Sequence, residues 1–214
     1  KLFDQRDAFE KNHFIPPIDS VLLYGLIREI KPKIYLEIGS GTSTHIASLA
    51  SEDLSTHLTS IDPCPRKEVD NICDEVIRSS LEGCDISIFD RLESGDILFF
   101  DGSHRALPYS DVTHFFLDIL PRIRSGVYVH MHDIYLPHEY PSQFINRLWS
   151  EQYLLAAWLL GGSHGLHVVF PVYALSMESE FINALPDRLR SSLENCGTDG
   201  YSPVMGCSFW LLKD

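Results

Sequence analysis

Two kinds of apolar run alternate along the chain. Short unbroken runs stop at a glycine or an acidic residue. Longer stretches return to an apolar residue every three or four positions. In "IDSVLLYGLIREIKP", Val21, Leu22, Leu26, Ile27 and Ile30 fit one helical face, with Asp19 or Ser20 as cap and Pro32 as stop. "KIYLEIGSG" reads as a buried strand entering a turn, and "TSTHIASLAS" as the helix after it. "HLTSID" predicts a second strand ending at Asp62, and "PRKEVDNICDEV" a helix with Pro65 near its first turn. "DEVIRSS" predicts a third strand with a helix through "DISIFDRLES"; the alternative makes "DISIF" the strand. The first reading is preferred because it leaves a helix for the parallel crossover. "DILFFD" and "SGVYVHMHD" predict strands on either side of the helix "SDVTHFFLDILP". "PSQFINRLWSEQYLLAAWLLGG" predicts one long helix closed by Gly161 and Gly162. "LHVVFPVYAL" and "CSFWLLK" predict the last two strands, around a proline-interrupted helix.

This alternation predicts an α/β fold: a doubly wound, mostly parallel seven-stranded sheet with helices on both faces. Residues 1–214 read as a single domain, with a helical cover over 1–32 and the core over 33–214. The start at Lys1 leaves room for a longer protein with further domains. In such sheets ligands bind beyond the carboxyl ends of the strands. That rule singles out Glu37 to Ser43, Asp62, Ser79 to Leu81, Asp101 to His104, and His132 to Tyr135.

Composition narrows the partners. The net charge of −13, without a lysine or arginine cluster, disfavours nucleic acid and anionic membranes. No window approaches the roughly 18 apolar residues of a membrane span. The five cysteines (Cys64, Cys73, Cys84, Cys196, Cys207) show no CxxC spacing, and free thiols in a reducing cytoplasm are the simplest expectation.

"LEIGSGTST" places Gly39 and Gly41 between strand and helix, where a backbone can approach a ligand. A dinucleotide turn wants a third glycine; Thr44 stands there, which ranks a nicotinamide oxidoreductase lowest. Asp62 can accept both hydroxyls of a ribose. The alternatives are a ligand-free tight turn for the glycines and, for Glu37, a charge partner of the next helix.

Glu37-Ile38-Gly39-Ser40-Gly41-Thr42 followed by Asp62 resembles the first two motifs of class I S-adenosylmethionine-dependent methyltransferases. "GDILFFDGSH", "SDVTHFFLDILPRIRSGVYVHMHDI", "YPSQFINRLWSEQYLLAAWL" and "SFWLLK" extend the likeness to the bacterial methyltransferase-24 branch, from about Pro16 to Lys213. The resemblance implies S-adenosylmethionine as cofactor. The Gly39–Ser40–Gly41 turn would face its methionine part and Glu37 its ammonium. Asp62 would hold the ribose, Ser80 and Leu81 would border the adenine, and Asp101 would lie beside the bound cofactor.

"FFDGSHR" and "HMHDIYLPHEY" then fall at two adjoining strand ends, beside the reacting methyl. An oxygen or nitrogen acceptor must lose a proton, so Asp101, His104, His132 and Asp133 are the catalytic candidates. His132 as a general base, oriented by Asp133 or Asp101, is favoured slightly. The other option is a divalent metal on Asp101, His132 and Asp133. Magnesium-dependent catechol-type relatives carry acids at these ends, but here Ile134 stands where they have asparagine, and imidazole suits zinc, iron or nickel better. Each candidate also has a bland reading: Asp101 as a turn cap, His104 as merely exposed. His130 reads as a core histidine. Tyr135, His138, Glu139 and Tyr140 could line an acceptor pocket or belong to a solvated loop in which Tyr140 packs. Trp149, Trp158 and Trp210 read as packing.

The expected function is methyl transfer to a small-molecule acceptor, most plausibly an oxygen of a sugar or natural-product scaffold. The competing classes are a non-catalytic cofactor-binding or scaffold module and a metal-dependent enzyme using Asp101, His132 and Asp133. A homodimer is compatible with either.

Overall fold

Ile34–Ile38 is apolar except at Glu37, and four of its five side chains are buried; it forms strand β1. Neighbouring runs of the same kind form β2 (His57–Ile61), β3 (Glu75–Ile77), β4 (Ile97–Phe100), β5 (Tyr128–Met131), β6 (Leu166–Pro171) and β7 (Phe209–Lys213). The computed structural model describes residues 15–187, 190 and 205–214. Residues 1–14 of the expected cover, Cys196, and much of the expected helix between β6 and β7 lie outside the described residues.

The strand order is β3-β2-β1-β4-β5-β7-β6. β1 to β5 pair in parallel, and β7 runs antiparallel to both β5 and β6. The chain starts at the centre and builds outward first to one side, then to the other. The gap between the ends of β1 and β4 is therefore the switch point where a ligand is expected.

Period-two alternation sorts side chains to the two faces. Leu98, Phe100, Val129 and Met131 enter one core with Phe115, Phe116 and Ile119. Ile97, Phe99 and Trp210 enter the other, under α1 (Pro17–Ile30) and α2 (Thr42–Ser51). Among the described residues no helix is long and apolar enough to cross a membrane.

Three expectations need correction. Residues 65–74 form turns rather than a helix; the helical spacing of Val69, Ile72 and Cys73 is not used, and of these only Val69 is buried. The expected long helix divides into α4 (Ser142–Ile145) and α5 (Glu151–Leu160), with Leu148 at φ 62° between them. The His104 carbonyl accepts the amides of Ser150 and Glu151 at 2.7 and 3.3 Å, so a tertiary contact starts α5 afresh. Lastly, β6 ends at Pro171 and α6 (Val172–Leu175) takes up the rest of that run. The helix after β4 is present as α3 (Asp111–His114), prolonged by a π turn over Phe115–Ile119, with the Ser110 hydroxyl capping the Thr113 amide.

Candidate active site

The turn after β1 is built around a close approach. Gly39 has φ +84°, and a Cβ there would lie 1.8 Å from the carbonyl oxygen of Asp101. Only glycine lets the β1 and β4 ends meet this tightly. Thr44, where a dinucleotide turn has its third glycine, accepts the Gly41 amide at 2.9 Å and so closes the turn from within.

Gly39, Ser40, Asp62, Ser80, Leu81 and Asp101 line one cleft of about 440 Å³. Gly41 lines an adjoining recess of about 60 Å³, shared with Gly39, Ser40 and Asp101. The Asp62 carboxylate accepts the amides of Ser40 and Cys64, each at 2.7 Å, and keeps further lone pairs for a ligand. Glu37 is fully buried and lines neither the cleft nor the recess; it lies one residue behind Ile38, which does line the cleft. Its Oε1 accepts the Ser43 hydroxyl, while Oε2 has no hydrogen-bond partner among the described residues. Burial pushes its carboxyl up to about 8, against the pull of Ser43 and Thr44. An orphaned carboxylate oxygen of this kind suits a cationic ligand group.

At the ends of β4 and β5 the structure brings Asp101, His104, His132 and Asp133 together, and adds three residues that the sequence did not single out as catalytic: Glu151, Asp19 and Cys207. His104 Nδ1 lies 2.5 Å from Glu151 Oε1, and its Nε2 lies 3.3 Å from Asp101 and 3.4 Å from Asp133. The Trp149 ring packs on His104, centroid to centroid at 4.2 Å. His132 lies between Asp133 (Nδ1 to Oδ2, 3.7 Å) and Asp19 (Nε2 to Oδ2, 3.8 Å). The Cys207 thiol donates to Asp133 Oδ1 at 3.2 Å.

Burial alone would deprotonate both imidazoles, but the facing carboxylates outweigh it. His104 is held well above its ordinary value by Glu151, Asp101 and Asp133. His132 is pushed up to about 9 by Asp133, Asp101 and Asp19. Burial likewise tends to raise Asp133, yet His132 and His104 bring it well below the usual carboxylate range. Burial raises Glu151 to about 7 against the pull of His104.

These states change the reading of His132. It is 2% exposed, carries its proton at neutral pH and does not line the cleft. A free general base at His132 is not what this geometry offers. Asp101 is the member of the cluster that reaches the cleft. His104 is buried rather than exposed, and Asp101 faces its imidazole rather than capping a turn. His130 is core as expected, stacked on Phe99 at 4.0 Å, bonded to Ser208 and held neutral by burial. Tyr135 and Tyr140 pack in a third apolar cluster with Phe144 and Tyr173, which removes them from an open acceptor wall; His138 and Glu139 are exposed.

Strand order, glycine turn and the carboxylate after β2 together define the class I methyltransferase architecture. A family model described as a methyltransferase domain matches residues 36–134, the span from β1 through Ile134. Similar solved structures include the O-methyltransferase TomG from Streptomyces achromogenes, in complex with S-adenosylmethionine (17% identity, TM-score 0.53, covering 97% of this chain and 87% of that one). Another is the O-methyltransferase from Bacillus cereus, in complex with S-adenosylhomocysteine (16% identity, TM-score 0.51, covering 94% and 84%). No curated protein matches. A methyltransferase domain thus matches residues 36–134, and the fold is the Rossmann-like one of these methyltransferase structures.

Proposed function

We propose that the chain is an S-adenosylmethionine-dependent methyltransferase that modifies an oxygen of a small, hydroxyl-bearing acceptor of the sugar or natural-product kind. The observation that carries the reading is the position of Asp101, which lines the cleft and also faces His104 Nε2 at 3.3 Å. Bound S-adenosylmethionine supplies the electrophilic methyl group. Glu37 offers its unpartnered oxygen to the ammonium, Asp62 accepts from the ribose hydroxyls, and Ser80 and Leu81 border the adenine. Asp101 accepts a hydrogen bond from the acceptor hydroxyl and its carboxylate takes up the proton as the methyl moves, while His104, already protonated, orients that carboxylate. Glu151 holds His104 from behind. Positioning of this kind supplies roughly 7–11 kcal/mol of a displacement barrier.

Several features support a small neutral or cationic acceptor. The net charge of −13 and the carboxylates around the site repel polyanions. Both structures named above are called O-methyltransferases. The test is to incubate the protein with S-adenosylmethionine and panels of hydroxylated sugars and phenols, and to measure S-adenosylhomocysteine formed. Turnover with a hydroxyl acceptor, lost in Asp101→Ala, supports the reading. Turnover confined to amines, or unaffected by Asp101→Ala, refutes it.

A second reading is favoured by one observation. The ligand atoms of Asp101, His132 and Asp133 lie within 4.8 Å of one another. These residues fit a divalent cation on the cleft side, which would polarise the acceptor oxygen. Loss of activity on chelation, restored by a divalent ion, distinguishes this from the metal-free pair.

A further inference from the structure

The far side of the His132 ring carries a second set of donors, buried away from the cleft. His132 Nε2, Asp19 Oδ2 and Cys207 Sγ form a triangle with edges of 3.8, 3.6 and 3.6 Å. All three residues are less than 5% exposed. Metal–ligand bonds of about 2.0–2.3 Å at a tetrahedral centre place ligand atoms roughly 3.3–3.6 Å apart. Drawing these three in by a few tenths of an ångström gives that spacing.

The surroundings are those of a built site. A histidine that ligates through one nitrogen usually donates the other N–H to a carboxylate. His132 Nδ1 faces Asp133 Oδ2 at 3.7 Å. A ligating carboxylate is itself usually held by hydrogen bonds. Asp19 accepts the amides of Cys207 at 2.7 Å and of Ser208 at 3.2 Å. Gly206 allows this approach, since a Cβ there would lie 2.6 Å from Asp19 Oδ1. Charge points the same way. Asp19, Asp101, Asp133 and Glu151 are four carboxylates gathered round two imidazoles, and among the described residues no lysine or arginine is paired with any of them. Excess buried negative charge is costly unless a cation offsets it.

We propose that Asp19, His132 and Cys207 bind a first-row transition ion of the zinc, cobalt(II) or iron(II) type. The thiolate and imidazole donors select against magnesium. The ion ties α1 to the ends of β5 and β7, joining positions 188 residues apart. Coordination releases the Cys207 thiol proton and leaves His132 with its Nδ1 proton alone.

The test uses the untagged full chain and needs no methyl transfer. Metal content is measured after purification and again after loading with zinc or cobalt. The expected result is one equivalent per chain and, with cobalt, a near-ultraviolet thiolate-to-metal charge-transfer band. Cys207→Ser, close in size, loses the band, and Asp19→Asn weakens binding by 100-fold or more. Asp101→Asn, on the cleft side, leaves both unchanged. Circular dichroism identifies any variant that fails to fold; if both do, the wild-type cobalt band decides alone. Absence of bound metal in the loaded wild-type protein overturns the proposal. So does a bound ion without a thiolate band that is lost in Asp101→Asn, which would place it on the cleft side.

Discussion

His104 and Glu151 meet at 2.5 Å across 47 residues of sequence, and the same histidine's carbonyl receives the first amides of the helix that carries Glu151. One residue thus starts α5 and is gripped by it. Glu151 does not line the cleft and its hydrogen bond is to His104, so the proposed mechanism makes it a positioning residue. Glu151→Gln is expected to lower kcat about 10²-fold, with KM for S-adenosylmethionine nearly unchanged. Glu151→Asp should recover part of the loss. Steady-state kinetics checks this; a purely structural role would lower thermal stability and raise KM without the split.

Glu37 gives a pH signature. Its folded value of about 8 lies above the ordinary 4.5, so the fold favours the neutral form. Stability linked to this group is full below about 4.5 and is lost as pH rises through about 8. An ammonium ligand favours the ionised form instead. Binding of S-adenosylmethionine near pH 7 should therefore release up to one proton and tighten as pH rises towards 8. Calorimetry in buffers of different ionisation enthalpy measures the proton. Glu37→Gln should abolish the release, and a wild-type protein without release contradicts the assignment.

Asp62 has two tasks, since it holds the turn amides of Ser40 and Cys64 and faces the cleft. Charge-assisted hydrogen bonds are worth roughly 1.5–3 kcal/mol each. Asp62→Ala is therefore expected to weaken cofactor affinity by one to two orders of magnitude, and Asp62→Asn by less. Titration calorimetry checks the order of the two.

Gly39→Ala drives a methyl into the Asp101 carbonyl and imposes a left-handed backbone on alanine. The expected cost is about 3 kcal/mol or more, seen as a lower denaturation midpoint. An unchanged midpoint would mean that the β1 and β4 ends are not packed as described.

The strand ends and glycine turn around the cleft were readable from sequence because their signals are local. Apolar runs ending at Gly39, Asp62 and Asp101 mark strand ends, and the ends of a parallel sheet converge on one edge. The other side depends on distant contacts. Glu151 reads as a surface position on a helix, and buried glutamates are rare unless paired; its partner lies 47 residues away. Asp19 looks like a helix cap, yet its carboxylate accepts amides from the opposite end of the chain. The apolar content of "FINRLWSEQYLLAAWL" suggests one helix, and only the docking of His104 explains the break before Glu151.

The central claim is that the cleft between the β1 and β4 ends receives S-adenosylmethionine. Titration calorimetry with S-adenosylmethionine and S-adenosylhomocysteine tests it most directly, in wild type and Asp62→Ala. The account expects one site per chain for both ligands, weakened in the variant. No binding heat from either ligand at millimolar concentration, or equal affinity in wild type and variant, would contradict it.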